Sequence, residues 1–126
     1  MIHLDTSVLV DALARDRHSA ARLRMAIESG ERLGLSALVL CEWLRGPRAP
    51  EEIRAQETFF PSGATVPFGP AEAAMAAGLY REVPRPRARA TDLAIAACAI
   101  VHGAALWTLN PSDFEDVPSL RLYRPR

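Results

Sequence analysis

The chain has no lysine; all 15 of its basic residues are arginine. Chemistry that depends on a lysine amine is therefore excluded, both a P-loop grip on a nucleotide phosphate and Schiff-base formation. The cations that remain carry a planar fork matched to phosphate. Only two cysteines occur, Cys41 and Cys98. Two are too few for a disulfide framework, which points to a reducing cytoplasm. Both are expected to be small core residues, because no histidine is placed to activate either thiol. No apolar run approaches the roughly 20 residues that span a membrane, and no signal peptide is apparent. Net charge is zero, which by itself speaks neither for nor against a nucleic-acid partner.

What is abundant is apolar. Hydrophobic residues make up 49% of the 126, enough to exclude disorder and to build a core. Residues 1–126 are expected to form a single domain. Short strands are predicted at Ile2 to Leu4, Leu33 to Leu35 and Ala105 to Thr108, with a last, edge-like strand at Leu120 to Tyr123. Between them, periodicity predicts helices from Ser7 to Ala14, His18 to Ser29, Ser36 (as N-cap) to Gly46-Pro47, Pro50 to Phe60 and Pro70 to Glu82. Met75 and Leu79 should face inward. Ala64 to Phe68 reads as extended, and Pro84 to Arg89 as a stiff basic loop. Thr91 is expected to cap a helix to His102 that Gly103 stops. Strands alternating with helices imply a mostly parallel sheet covered on both faces, an α/β/α sandwich in three layers. His3, His18 and His102 are scattered and read as ordinary; Trp107 suits strand core, and Trp43 a surface that meets a partner.

Four acids stand out against this apolar background: Asp5, Glu42, Asp92 and Asp113. A carboxylate in apolar sequence needs a partner, and few cations lie nearby in the sequence. In a parallel sheet, ligands bind beyond the carboxyl ends of the strands. Asp5 follows the first strand directly, Asp113 follows the Leu106 strand, and Asp92 opens a helix whose start lies at the same edge. Glu42 must reach back from mid-helix. Clustered acids with open positions suit Mg²⁺, with Mn²⁺ as substitute, and a phosphodiester substrate. Thr6, Ser7, Thr108 and Asn110 could hold ligand carboxylates or water from behind. Taken singly, Asp5 also fits an N-cap, Asp92 a first-turn acid favoured by the helix dipole, and Asp113 a turn.

The four segments together resemble a PIN domain, most closely a VapC-type toxin ribonuclease. Asp5-Thr6-Ser7 is similar to the family's opening element, and Glu42-Trp43-Leu44-Arg45-Gly46 to its E-x-x-x-G. Asp92-Leu93-Ala94-Ile95-Ala96-Ala97 resembles D-x-x-I-A-A. Thr108-Leu109-Asn110-Pro111-Ser112-Asp113-Phe114 resembles T-x-N-x-x-D-F, with Leu109 where a basic residue is common. The fourth acidic position stays open between Asn110 and Asp113. The resemblance implies a Mg²⁺- or Mn²⁺-dependent endoribonuclease with Asp5, Glu42, Asp92 and Asp113 as catalytic, metal-holding residues, Glu42 and Asp113 directly or through water. It further implies a cytoplasmic homodimer, a VapB-type antitoxin, and operator DNA contacted only through that antitoxin.

Other functions compete with this one. A phosphoacceptor receiver domain relies on a lysine, which is missing. A haloacid-type phosphatase wants D-x-D after the first strand, and Asp5-Thr6-Ser7 lacks the second acid. A non-toxin PIN nuclease of RNA processing and an inactive PIN binding module remain, although all four acids are present. Arg81, Arg85, Arg87 and Arg89 are expected to hold the RNA backbone. The apolar faces Val8, Leu9, Leu13 and Leu23, Ile27 are expected to offer a groove to the antitoxin.

Overall fold

A computed structural model describes residues 1–14 and 17–125. The polypeptide runs β1 (Ile2–Leu4), α1 (Thr6–Leu13), α2 (Ala20–Glu28), β2 (Leu33–Gly34), α3 (Ala37–Arg45), α4 (Pro50–Phe59), α5 (Pro70–Glu82), α6 (Ala90–Val101) and β3 (Ala105–Trp107). Single 3₁₀ turns occupy Ser62–Ala64, Pro86–Arg89 and Pro111–Asp113. The strands form a parallel sheet in the order β2-β1-β3, with β1 in the middle. All three residues of β1 are buried. Successive strand side chains point to opposite faces, so both faces of this sheet are covered by helices, the α/β/α sandwich expected of βαβ connections.

Local chemistry explains where the helices start and stop. Ser36 Oγ accepts the Val39 amide at 3.2 Å, a side-chain N-cap on α3. Pro70 opens α5, where Glu72 Oε1 accepts the Gly69 amide at 3.0 Å. Gly103, at φ +65°, ends α6 in a left-handed conformation that costs glycine little.

The structure departs from the sequence reading in several places. Leu120 to Tyr123 is not a strand; only an isolated parallel bridge joins Leu122 to Leu106. Ala64 closes a 3₁₀ turn, Thr65 is extended as expected, and Val66 makes an isolated parallel bridge to Ser36, just beyond β2. Thr91 lies inside α6 and caps nothing, because the Pro86–Arg89 turn, expected as a loop, runs straight into the helix. Helix α3 is rotated so that Val39 and Trp43, one turn apart, bury completely. Trp43 is therefore core, not a partner-facing residue, and Cys41 lies on the exposed side. Cys98 is buried, as expected. Val8 and Leu9 are also fully buried and form no groove.

Candidate functional site

Asp5 occupies the N-cap position of α1 with an extended backbone, yet its carboxylate caps no amide. Instead Oδ2 accepts two hydroxyl hydrogen bonds, from Thr108 at 2.7 Å and from Ser7 at 3.0 Å. Ser7 Oγ also accepts the Leu109 amide at 3.1 Å, and Thr108 Oγ1 the Asn110 amide at 3.1 Å. These bonds tie the start of α1 to the segment after β3 and leave Asp5 nearly inaccessible, 7% exposed. Burial raises the Asp5 pKa, and the hydroxyls and a Thr6 backbone contact pull in the other direction.

Glu42 reaches the same edge from the middle of α3. Thr6 donates to its Oε1 at 2.6 Å, and Arg45, one turn further on, lies 3.3 Å from Oε2. Asp92 sits in the first turn of α6. Its pKa is pushed up from 3.8 to about 6, first by burial and then by the charges of Asp5, Asp113 and Glu42, against a smaller opposing pull from Arg89. Asp113 lies exposed in the Pro111–Asp113 turn, and Asn110 immediately precedes it. Asp92 thus lies in the field of the other three acids.

The basic segment divides. Arg89 donates to both oxygens of Asp116, at 2.9 and 2.5 Å, and to the carbonyls of Asp113 at 3.0 Å and Pro84 at 3.3 Å. Its pKa is raised mainly by the Asp116 bond, and it is spoken for. Arg85 and Arg87 are exposed. Nothing in the sequence singles out Asp116 beyond its place three residues past Asp113.

As placed, no three His, Cys, Asp or Glu side chains among the described residues gather closely enough to enclose an ion. The donor chemistry fits a hard divalent cation all the same. Clustered carboxylate oxygens are what a dication stabilises, and among the described residues the only cations paired within the group are Arg45, on Glu42, and Arg89, on the neighbouring Asp116.

A second concavity, of about 370 Å³, opens between α1, α2 and α4 and includes Leu13, Leu23, Ile27, Ala55 and Phe59. Ile27 is 43% and Phe59 54% exposed. Near the C-terminal end of α6, His3 is buried with both ring nitrogens unpartnered among the described residues. Its ring centroid lies 6.1 Å from that of His102, whose Nε2 is 2.9 Å from Glu72 Oε2.

A family model of the PIN domain matches residues 2–120. By sequence, no curated protein matches. Solved structures do. Promoter-DNA-bound VapBC2 from Rickettsia felis aligns at TM-score 0.76 with 20% identity, over 100% of both chains. DNA-bound VapBC from Salmonella typhimurium aligns at 0.76 with 22% identity, over 97% of this chain and 96% of the other. FitAcB from Neisseria gonorrhoeae gives 0.72 with 23% identity, over 99% and 98%. At such identities the likeness is one of fold.

Proposed function

The chain belongs to the PIN-domain family, and from that premise we propose that it is a divalent-metal-dependent endoribonuclease, a VapC-type toxin. One observation carries the reading: Asp92, part-buried at the start of α6, lies close enough to Asp5, Asp113 and Glu42 for their charges to add to the effect of its burial. Acids so arranged at one sheet edge would hold Mg²⁺ or Mn²⁺, Asp5 and Asp92 most directly, Glu42 and Asp113 directly or through water. A bound ion would supply polarisation of the phosphoryl oxygen and acidification of a water. The protein's own contribution is orientation. Ser7 and Thr108 fix the Asp5 carboxylate, and Thr6 fixes Glu42, so the acids keep their places while a strand passes over them. Arg89, locked to Asp116, holds the Asp113 turn against the start of α6.

The toxin assignment rests on similarity to VapBC complexes and on the apolar concavity between α1, α2 and α4. An amphipathic segment of a VapB-type antitoxin would lay its apolar face there. Operator DNA would be reached only through that antitoxin, and the active form would be a cytoplasmic homodimer of single-domain chains. Among the described residues, no helix is long and apolar enough to cross a membrane.

The test is direct. Purified protein with Mg²⁺ should cut labelled single-stranded RNA, and excess EDTA, Asp5→Asn or Asp92→Asn should each stop it. Full cleavage in EDTA or in either variant would overturn the proposal.

A further inference from the structure

Beside Asp92, between the Pro86–Arg89 turn and the Pro111–Asp113 turn, lies a cavity of about 320 Å³. Its polar walls are Arg85, Arg89, Asp92, Ser112, Asp113 and Asp116. We propose that this cavity is the subsite for the nucleotide next to the scissile bond, with Arg85 gripping its phosphate and Arg89 acting as a positioning residue. The inference rests on the nuclease reading above and adds which part of the substrate is held, and by what.

Size comes first. The cavity is near the lower end of the roughly 300–1,000 Å³ typical of small-molecule sites. That suits one nucleotide unit of a single strand. Two of its walls are Asp92 and Asp113, so whatever fills it lies against the proposed cleavage centre.

Charge comes next. Arg89 spends its two terminal nitrogens on Asp116 and on the Asp113 and Pro84 carbonyls. It could meet a phosphate only by dismantling the wall it builds. Asp116, in turn, has both oxygens occupied by Arg89. Arg85 is the cation left over. It lines the cavity, is exposed, and makes no side-chain hydrogen bond among the described residues. Its backbone is left-handed, at φ +50° and ψ +51°, a conformation that disfavours a side-chain-bearing residue. The Ser112 hydroxyl on the opposite wall offers a second donor to the same anion. Arg87 is not among the lining residues.

The basic segment therefore does two separate jobs. Phosphate contact gives affinity without sequence information, so losing Arg85 should weaken every single-stranded RNA alike. Losing the Arg89–Asp116 pair should instead misplace Asp113.

Steady-state cleavage of a short, labelled, mixed-sequence single-stranded RNA by the Mg²⁺-loaded protein separates them. Arg85→Gly, which suits the left-handed backbone, should raise KM with kcat nearly unchanged. It should also flatten the slope of log kcat/KM against log salt by about 0.7, the loss of one single-strand phosphate contact. Arg85→Lys should recover the slope, and Arg54→Ala, on the remote face of α4, should leave it alone. Arg89→Lys and Asp116→Asn should lower kcat and leave the slope in place. An Arg85→Gly protein with wild-type KM and slope overturns the subsite while leaving the nuclease reading intact. A flattened slope in Arg89→Lys, with Arg85→Gly silent, also overturns it. Wild-type protein that cuts no single-stranded RNA in Mg²⁺ removes both readings together.

Discussion

Thr6 and Glu42, separated by 36 positions in the chain, meet in a 2.6 Å hydrogen bond. Thr6 is the first residue of α1 and Glu42 stands in the middle of α3. The bond therefore fastens the third helix to the sheet edge where Asp5 sits. A mid-helix glutamate otherwise has several rotamers, and Arg45, itself exposed, draws the other oxygen outward.

Thr6→Val keeps the β-branched shape and removes only the donor. Thermal stability is expected to change little, because an isolated hydrogen bond of this kind is worth about 1 kcal/mol. Cleavage should fall roughly tenfold if an orienting partner of Glu42 is lost, within the about 10–100-fold range for residues that orient metal ligands. Wild-type kcat in Thr6→Val would show that Glu42 needs no such anchor.

Asp92→Asn should have two opposite effects. Activity should disappear. The metal-free protein, however, should become more stable at pH 7. The folded pKa, about 6, stands above the ordinary 3.8; the charged form is thus penalised in the fold above pH 6, and the penalty vanishes as pH falls below about 4. The full shift would correspond to about 3 kcal/mol, and partial solvent exposure reduces that to something nearer 1–2 kcal/mol. Chemical denaturation in EDTA reads this directly. A destabilised Asp92→Asn apoprotein would mean that the ionised Asp92 carboxylate carries no such penalty in the fold, from burial or from its acidic neighbours.

Elements governed by local chemistry could be read from the sequence. Pro70 marks the start of α5, Ser36 caps α3, and Gly103 ends α6. Contacts between distant segments could not. The rotation of α3 that buries Trp43 and exposes Cys41 follows from packing against α1 and α6. Apolar character at Leu120 to Tyr123 suggested a strand, yet the segment makes only one bridge to β3. Four acids could be picked out by their surroundings, with Thr6, Ser7 and Thr108 as their hydroxyl supports; that Ser7 and Thr108 share one oxygen of Asp5 could not. Nor could the 27-residue reach from Arg89 to Asp116, which removes Arg89 from the free cations.

His3 should make the fold sensitive to mild acid. Burial lowers its pKa from 6.5 to about 4, with further contributions from His102 and the amino terminus. The facing groups are His102 and, through it, Glu72. A depressed histidine pKa means that the unfolded chain binds the extra proton first. Stability is complete above about pH 6.5 and declines as pH falls towards 4, by up to about 3 kcal/mol. Asp92 works in the opposite sense over much of the same range, so the wild-type curve will understate the effect. His3→Phe should remove this acid-dependent loss and add stability at pH 7, since two buried nitrogens without partners are lost. Parallel denaturation curves for His3→Phe and wild type between pH 7 and 4.5 would exclude His3 as the titrating group.

The toxin reading makes the last prediction. Expression of this chain alone should arrest a bacterial host, and Asp92→Asn should not. Co-expression with the neighbouring reading frame should restore growth if that frame encodes the antitoxin. The groove between α1, α2 and α4 supplies an independent handle. Phe59 is 54% exposed at its lip and lies on α4, which carries none of the four acids. Phe59→Asp should cost little stability, as exposed substitutions usually do. It should keep cleavage and arrest but escape neutralisation, because a charge on the apolar wall opposes burial of an amphipathic partner. Neutralisation of Phe59→Asp as complete as that of wild type would move the antitoxin to another surface. Normal growth during expression of soluble, metal-loaded wild-type protein would remove the toxin altogether and leave a housekeeping PIN nuclease, since the acid cluster and its hydroxyl supports do not depend on the groove.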